Sequence, residues 1–269
     1  MHEILKNLPC GSRVLDLGCN AGSFASSATQ AEVVRIDREP AGPGAKRTNF
    51  VQTDSARLPF ADQSFDAVIS NHSLEHFDDL NGALQEIRRV ITRDGSLFVA
   101  VPDASTLTDK VYRWLARGGG HVNAFTSATE TATAIADATA LTHVATRPLY
   151  SSLSFLNRRN SPRPRPRRLL LLGAGYEWSL FLYVWLSRRL DRFFGTRTGV
   201  YGWAFYFGKV AQPIDAGAWV NVCIRCGRGH SAGSLKKHFG IWRCSECGAA
   251  NPFAEDPVTA GPGDRGVAR

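Results

Sequence analysis

Glycines and an acidic residue follow a short apolar run near the start of the chain. The run Val14–Leu17 carries Asp16 and leads into Gly18 and Gly22. A glycine turn between a strand and a helix lets the backbone approach a ligand closely, and the N-terminus of the helix offers unpaired N–H groups. The same turn also suits a plain tight connection, so the neighbouring residues decide the interpretation.

Two further carboxylates end the next apolar runs. Asp37 ends "EVVRID", 19 residues after Gly18, where a carboxylate can accept hydrogen bonds from both hydroxyls of a ribose. Asp54 ends "NFVQTD", where a carboxylate can accept from the exocyclic amine of adenine. Open α/β sheets bind ligands at the carboxyl ends of their strands, so these features predict one pocket for a nucleoside-like ligand. The alternatives are that Asp16 caps the following helix and that Asp37 is a turn residue.

Four of the six cysteines form two CxxC pairs, in "CIRCG" and "CSECG", separated by 17 residues. Two pairs at this spacing supply four thiolates that can surround zinc tetrahedrally at about 2.3 Å. Gly227 and Gly248 follow the pairs and permit the tight turns that such a site needs. The stretch resembles a zinc ribbon, a module too small to fold without its metal. We expect a structural zinc ion held by Cys223, Cys226, Cys244 and Cys247.

The elements that must position these residues alternate along the chain. Continuous Val, Ile, Leu and Phe runs are typical of parallel strands covered on both faces. A helical spacing of apolar residues over 81–92, stopped by "RDG", predicts a helix between two of them. The pattern predicts an α/β fold, with helices over 81–92 and 126–142 and strands over 13–18, 32–37, 49–54, 65–71, 95–103, 142–150 and 200–210.

Several motifs together resemble the class I S-adenosylmethionine-dependent methyltransferases, in their small-molecule methyltransferase group. The motifs are "VLDLGCNAGSF", "RID", "TDSARLPFADQSFDAVISNHSLEHF" and "VITRDGSLFVAVP", within about residues 10–150. The resemblance implies a Rossmann-like, seven-stranded, mostly parallel sheet with an antiparallel last strand, and S-adenosylmethionine as cofactor. It implies that Asp16, Gly18 and Gly22 contact the methionine part of the cofactor and that Asp37 contacts the ribose. It places Asp54 and Ser55 at the adenine, and Asn71 and His72 on the sulfonium side.

Two departures from this family pattern stand out. Asn20 occupies the place of the usual middle glycine, which is tolerable because asparagine visits positive φ more readily than most residues. The helix expected after Asp37 is replaced by a Pro- and Gly-rich loop over 38–48. One wall of the adenine pocket must therefore come from elsewhere.

The fourth strand ends in "SNHSLEHF", which indicates the kind of acceptor. It lacks the Asn/Asp-Pro-Pro-aromatic signature of base N-methyltransferases, and no cysteine is near to attack a pyrimidine ring. An oxygen acceptor is the better hypothesis, with His76 and His72 as candidate bases because neutral imidazole accepts protons near pH 7. His121 is a candidate for the acceptor pocket, and Glu75 is predicted to begin a helix. Each histidine also suits a purely structural role.

The second half of the chain is basic and contains a large insertion. Residues 1–150 hold 14 Lys and Arg against 17 Asp and Glu, whereas 151–269 hold 18 against 7. A solvated Arg- and Pro-rich linker over 158–168 precedes the apolar stretch 169–195, which predicts either a helix at a lipid surface or a lid over the acceptor site. A membrane span is disfavoured because it would separate the last strand from its sheet. The end of the insertion, "GTRTGVYGWAFYF", resembles enzymes of cell-surface glycan or lipid pathways.

The domain and function hypotheses follow. We expect a methyltransferase domain over 1–212, with its insertion at about 151–199, a zinc-ribbon-like module over 213–253 and a disordered tail over 254–269. The start "MHEILKNLP" is not a signal peptide, so a cytoplasmic location, with peripheral contact to the inner membrane face, is expected. We predict O-methylation of a small or lipid-linked acceptor, such as a saccharide. The alternatives are an RNA methyltransferase that grips phosphate with the ribbon and arginines, and a non-catalytic binding protein.

Overall fold

A computed structural model describes residues 1–20, 22–24, 29–40, 49–115, 120–150, 177–196, 198, 200–209, 221–222, 229–230, 241–245, 248 and 250–252. The predicted linker over 158–168, the predicted tail over 254–269, most of the predicted loop over 38–48 and three of the four paired cysteines lie outside these residues. The chain divides into two compact units. The first comprises Met1–Asp103, Gly120–Arg147 and Gly202–Ile214, and the second comprises Ala104–Gly119, Pro148–Tyr201 and Asp215–Arg269.

Seven strands form one sheet in the order β3-β2-β1-β4-β5-β7-β6. Strands β1 to β5 pair in parallel, and β7 runs antiparallel to β5. This confirms the predicted α/β fold, including the antiparallel last strand. The strands are β1 Arg13–Leu17, β2 Glu32–Asp37, β3 Phe50–Gln52, β4 Phe65–Asn71, β5 Ile91–Pro102, β6 His143–Tyr150 and β7 Val200–Gly208.

The boundaries of β3 and β5 differ from the sequence prediction in ways that affect the site and the sheet. β3 ends at Gln52, so that Asp54 lies in the turn beyond it rather than at its last position. β5 begins at Ile91, where the sequence pattern predicts a helix, because Ile91 already pairs with Phe65 of β4. The register then shifts, and Ser96 pairs with Ala67, so the "RDG" residues occupy this irregular start of the strand.

The helices of the first unit each bury apolar residues on one side. They are α1 His2–Leu5, α2 Leu80–Val90 and α4 Ala128–Thr139, with a 3₁₀ turn at Leu74–His76. α2 begins where the Asp79 carboxylate accepts a hydrogen bond from the Gly82 N–H at 2.8 Å, a cap that contributes about 1 kcal/mol. Its buried residues, Ala83, Leu84, Ile87 and Val90, join a core that includes Phe205 and Phe207 of β7.

The second unit contains the remaining described helices and short strands. The helices are α3 Leu107–Leu115, which the sequence analysis did not predict, and α5 Glu177–Phe194 in the apolar stretch. Four short strands form two antiparallel pairs, β8 Asn221–Val222 with β9 Gly229–His230, and β10 Ile241–Arg243 with β11 Ala250–Pro252.

Candidate active site

The turn after β1 has the left-handed backbone that its glycines predict. Gly18 has φ +67° and Gly22 has φ +107°, and Asn20 between them has φ +47°. The prediction that asparagine replaces the middle glycine by adopting positive φ is therefore confirmed. The Gly22 N–H donates to the Cys19 carbonyl at 2.6 Å, and the Cys19 N–H donates to the Ile36 carbonyl of β2 at 2.9 Å. The turn is thereby fixed against the end of the neighbouring strand.

Gly18 also has a steric role that the sequence did not reveal. A Cβ atom at this position would lie 2.5 Å from Cβ of Ser73, which follows β4. The Ser73 hydroxyl donates to the Leu17 carbonyl at 2.9 Å and lies 2.6 Å from the hydroxyl of Ser70. The absence of a side chain at Gly18 thus lets the ends of β1 and β4 approach each other.

Asp16 lies fully buried on β1, directly before the glycine turn. One carboxylate oxygen, Oδ2, accepts from the Ser23 N–H at 3.0 Å and lies 3.8 Å from Nε of Arg35. Among the described residues the other oxygen, Oδ1, has no hydrogen-bond partner. Burial raises the pKa of Asp16, although the hydrogen bond from Ser23 and the charge of Arg35 oppose this. A buried acceptor of this kind suits a cationic ligand group.

Arg35 is a site residue that sequence reasoning missed. It lies on β2, paired with Asp16 of β1, and its Nε atom would be 3.7 Å from a Cβ at Gly22. A guanidinium beside the glycine turn can attract an anionic group of a ligand. The signal available in the sequence was an arginine within an otherwise apolar strand, two residues before Asp37.

Asp37 ends β2 and holds the glycine turn from the other side. Its Oδ2 accepts from the Asn20 N–H at 2.7 Å, and its Oδ1 accepts from the Glu39 N–H at 2.9 Å. Each carboxylate oxygen has a second lone pair, so the side chain can still accept from ligand hydroxyls. The structure therefore brings Asp37 and the glycine turn together, as the sequence predicted.

Asp54 lies in a tight turn after β3. Its Oδ1 accepts from the Ala56 N–H at 3.0 Å, and its carbonyl accepts from the Arg57 N–H at 3.1 Å. The side chain is exposed, and the intervening Ser55 is partly buried. Gln52 pairs with Asp37 in the sheet, so Asp54 lies two residues beyond the level of Asp37, at the same edge.

Three histidines gather where β4 ends. β4 finishes at Asn71, and His72 then adopts a left-handed backbone with φ +56°, its N–H donating to the Ala100 carbonyl at 2.9 Å. The rings of His76 and His121 meet edge to face with centroids 4.9 Å apart. Nδ1 of His72 lies 3.9 Å from Oε1 of Glu75, whose side chain is buried. The predicted bases and the predicted pocket residue therefore form one cluster.

Two imidazoles of this cluster, those of His72 and His76, are held in their neutral form. Burial, together with the neighbouring His121 and His76, lowers the pKa of His72 to about 4. Burial also lowers the pKa of His76, partly offset by the carbonyl of Gly120. That carbonyl lies 2.9 Å from Nδ1 of His76 and can only accept, so Nδ1 carries the proton. In the neutral ring, Nε2 of His76 is then left with a lone pair that can accept a proton or bind a cation.

A loop segment, residues 120–123, fastens His121 to the 3₁₀ turn. The N–H groups of Val122 and Asn123 both donate to the Glu75 carbonyl, at 2.8 and 3.1 Å. The side-chain amide of Asn123 donates to the carbonyls of Leu74 and Phe77, at 2.9 and 2.7 Å. Asn123 is a positioning residue that the sequence analysis did not identify, because its partners lie more than 40 positions away.

Known proteins share both the sequence pattern and the fold. Residues 15–99 match the methyltransferase domain family. The malonyl-(acyl-carrier protein) O-methyltransferase of Halorhodospira halophila is 29% identical over 234 residues, covering 76% of this chain and 77% of that protein. Its counterpart in Methylococcus capsulatus is 30% identical over 186 residues, covering 60% of this chain and 68% of that protein. An S-adenosylmethionine-dependent methyltransferase of Archaeoglobus fulgidus has the same fold, with TM-score 0.51 and 17% identity over 74% of this chain and 86% of that one.

The strand order and the matched domain define a class I S-adenosylmethionine-dependent methyltransferase. The chain belongs to this family and is an enzyme that takes its methyl group from S-adenosylmethionine. The resemblance stated from the sequence motifs is confirmed in this respect, and the non-catalytic alternative is set aside.

Proposed function

We propose that the enzyme transfers the methyl group of S-adenosylmethionine to an oxygen atom of a small or lipid-linked acceptor. The observation that carries this proposal is the neutral imidazole of His76, whose Nδ1 is committed to the Gly120 carbonyl at 2.9 Å. Its Nε2 lone pair can meet a hydroxyl proton of the acceptor. His72 is a weaker base, since its pKa of about 4 lies far below neutral pH.

The cofactor fits the acidic and glycine-rich edge of the sheet. The buried Oδ1 of Asp16 would accept from the ammonium of the methionine part, and Arg35 would attract its carboxylate. Asp37 would accept from the ribose hydroxyls, and Asp54 with Ser55 would border the adenine. Gly18 and Gly22 leave room for the chain of the cofactor. Asn71, the last residue of β4, would lie on the sulfonium side.

The reaction is an in-line displacement at the methyl carbon. A lone pair of the acceptor oxygen forms the new C–O bond while the C–S bond breaks, and the sulfonium becomes the neutral thioether of S-adenosylhomocysteine. A hydroxyl acceptor loses its proton to Nε2 of His76 and from there to solvent. A carboxylate acceptor has no proton to lose. Positioning supplies most of the acceleration in such a transfer, and a base adds about 10²–10⁴-fold.

Two of the relatives support an oxygen acceptor. The two enzymes compared above are O-methyltransferases that act on malonyl groups of acyl-carrier protein. A demethylmenaquinone methyltransferase of Deinococcus radiodurans is 35% identical over 116 residues, although this chain spans about half of that protein, 48%. The names of these relatives thus give a malonyl group on a carrier protein and demethylmenaquinone as acceptors.

Incorporation of labelled methyl groups tests the proposal. With labelled S-adenosylmethionine, we expect label in carboxyl or hydroxyl acceptors, and we expect His76→Gln to lower kcat for a hydroxyl acceptor by about 10²-fold or more while S-adenosylhomocysteine binds as before. The matched control is His143→Gln on β6, which should retain full activity. Label found only in RNA, or only on nitrogen, would replace the proposal with one of the other acceptor classes.

We also propose that the four paired cysteines hold a structural zinc ion. Of these, the described part of the chain includes Cys244, which is buried. The Gly248 N–H donates to the Cys244 carbonyl at 2.8 Å, and Gly248 has φ +70°. This is the tight left-handed turn that the glycine after the CxxC pair predicts. The two antiparallel strand pairs of the second unit suit a ribbon held by metal.

Helix α5 exposes an aromatic and basic stripe. Leu182, Trp185, Leu186 and Phe193 are exposed, with Phe193 at 70%, and the Arg189 guanidinium lies 4.7 Å from the Trp185 ring centroid. These positions repeat at helical spacing, whereas Ser187 on another face is buried. No helix among the described residues is long and apolar enough to cross a bilayer. We propose that the stripe rests on an anionic lipid surface, where aromatic rings and arginines are both favoured.

Vesicle co-sedimentation tests the lipid proposal. We expect the enzyme to bind vesicles that contain anionic lipid, and to bind less at high salt because the attraction is partly coulombic. The triple variant R188Q/R189Q/R192Q should sediment less, while R57Q/R88Q/R93Q, with the same change in charge on the first unit, should sediment as the wild type does. If wild-type protein ignores anionic vesicles, α5 instead serves as a lid or as a contact for another chain.

A further inference from the structure

Glu75, His76 and His121 each bring one potential metal-ligand atom to the same place. The three atoms all lie within 4.8 Å of one another. Glu75 is 1% exposed, His121 is partly buried and His76 is exposed, so the set reaches from the protein interior to the solvent. Donor atoms at such separations can converge on one cation with small rotations of the side chains. Among the described residues this is the one group of histidine, cysteine and acidic side chains with that geometry.

The backbone around these ligands is already organised. His76 and Glu75 belong to the 3₁₀ turn, and His121 belongs to the loop segment 120–123 that five hydrogen bonds fasten to that turn and its flanks. Metal-binding histidines usually donate their other ring N–H to a carbonyl or carboxylate, which fixes the tautomer and aims the free nitrogen. The Gly120 carbonyl does this for Nδ1 of His76. Little conformational entropy therefore remains to be lost when a metal binds.

The donor set also has a defined chemical preference. Two imidazoles and one carboxylate are the ligands of many zinc enzymes, which leave a fourth position for water or substrate. Imidazole prefers zinc and its neighbours over magnesium and calcium, which prefer sets composed entirely of oxygen.

We propose that Glu75, His76 and His121 bind a divalent transition-metal ion of the zinc type, with a coordination position left for an oxygen ligand. This site is separate in sequence and in ligand chemistry from the four paired cysteines. The alternative that the test must separate is a cluster of Glu75, His76 and His121 that packs together without binding metal.

The role of this metal rests on the proposed O-methyl transfer. If the ion bound at Nε2 of His76, that nitrogen could no longer accept the hydroxyl proton of the acceptor, and the ion would activate the hydroxyl instead. An acceptor hydroxyl ligated to it would lose its proton to solvent water more readily, because a bound cation lowers the pKa of a ligated hydroxyl. The resulting alkoxide or phenolate oxygen would then attack the methyl carbon, with the sulfonium leaving as thioether.

Cobalt titration tests metal binding without any acceptor. Full-length protein is stripped with a chelator and titrated with Co²⁺, a coloured substitute for zinc. Thiolate ligands give an intense sulfur-to-metal charge-transfer band, whereas nitrogen and oxygen ligands give only the weaker visible d–d bands. We expect two Co²⁺ ions per chain in the wild type, one of each kind.

Variants assign the two spectral signatures. His76→Ala and His121→Ala should each weaken the nitrogen–oxygen site by about 100-fold and leave the thiolate band unchanged. Glu75→Gln should weaken the same site, and Cys244→Ser should remove only the thiolate band. His143→Gln, which changes a histidine outside the cluster, should retain both. Binding of S-adenosylhomocysteine by calorimetry confirms that each variant is folded.

The proposal is overturned if the wild type shows only the thiolate signature, or if His76→Ala and His121→Ala bind the second Co²⁺ as tightly as the wild type. Neither result depends on methyl transfer. Label incorporation into an oxygen acceptor by a protein without this metal would keep the proposed function and reject the role of the metal in it. Cobalt binding at this site without any oxygen methylation would keep the metal site and reject the proposed function.

Discussion

Gly18→Ala should lower the free energy of unfolding by about 3 kcal/mol or more and greatly weaken cofactor binding. Gly18 has φ +67°, a conformation that costs an alanine about 1–2 kcal/mol. The added Cβ would also lie 2.5 Å from the Ser73 Cβ, so the end of β1 or the start of the 3₁₀ turn must move, at about 1–3 kcal/mol. Urea unfolding measures the stability, and calorimetry with S-adenosylhomocysteine measures the affinity.

Gly11→Ala is the matched control for this substitution. Gly11 has φ +86°, but nothing lies within 4 Å of a Cβ built there. It should therefore show the backbone cost alone, about 1–2 kcal/mol, with unchanged cofactor affinity. Equal effects of the two variants on both measurements would contradict the close contact between Gly18 and Ser73 as the reason for the glycine.

Asp37→Ala should weaken binding of S-adenosylhomocysteine by roughly 1–3 kcal/mol, or about 5- to 150-fold. The ribose would lose a charged acceptor. The turn after β1 would also lose its anchor, because the Asn20 N–H donates to this carboxylate at 2.7 Å. Calorimetry at constant pH and salt is the direct measurement.

Glu39→Ala is the control for Asp37→Ala. It removes the same charge two residues further on, at an exposed position whose described hydrogen bond to Asp37 uses only the backbone. Its affinity should match that of the wild type. Equal affinity of Asp37→Ala and wild type would show that Asp37 is only a turn residue and would remove it from the cofactor site.

The sequence predicted the sheet and its ligand-binding edge because both depend on local patterns. Apolar runs of strand length identify buried strands, and parallel strands bring their carboxyl ends to one edge. This is why the residue pattern alone placed Asp16 and Asp37 beside the glycine turn. Positive φ at Asn20 was predictable for a similarly local reason, since the cost of a positive φ depends mainly on that residue's own side chain.

The ends of individual strands were less predictable, because the strands they pair with decide where they begin and end. β3 is only three residues long and leaves Asp54 in a turn. β5 starts at Ile91 because Phe65 of β4 is there to pair with it. The sequence around "ITRDG" contains a turn signal, which correctly marks the irregularity but not the strand that continues through it.

The tertiary structure alone decided where the histidines lie relative to one another. The sequence nominated His72 and His76 as bases and His121 for the acceptor pocket, but it predicted no contact between residues 121 and 76. Their approach depends on Asn123 and on backbone hydrogen bonds to the 3₁₀ turn. Residue types and spacing specify local conformation and the buried face of each element. Contacts between distant segments depend on the path of the whole chain, so the cluster of Glu75, His76 and His121 exists only in the folded molecule.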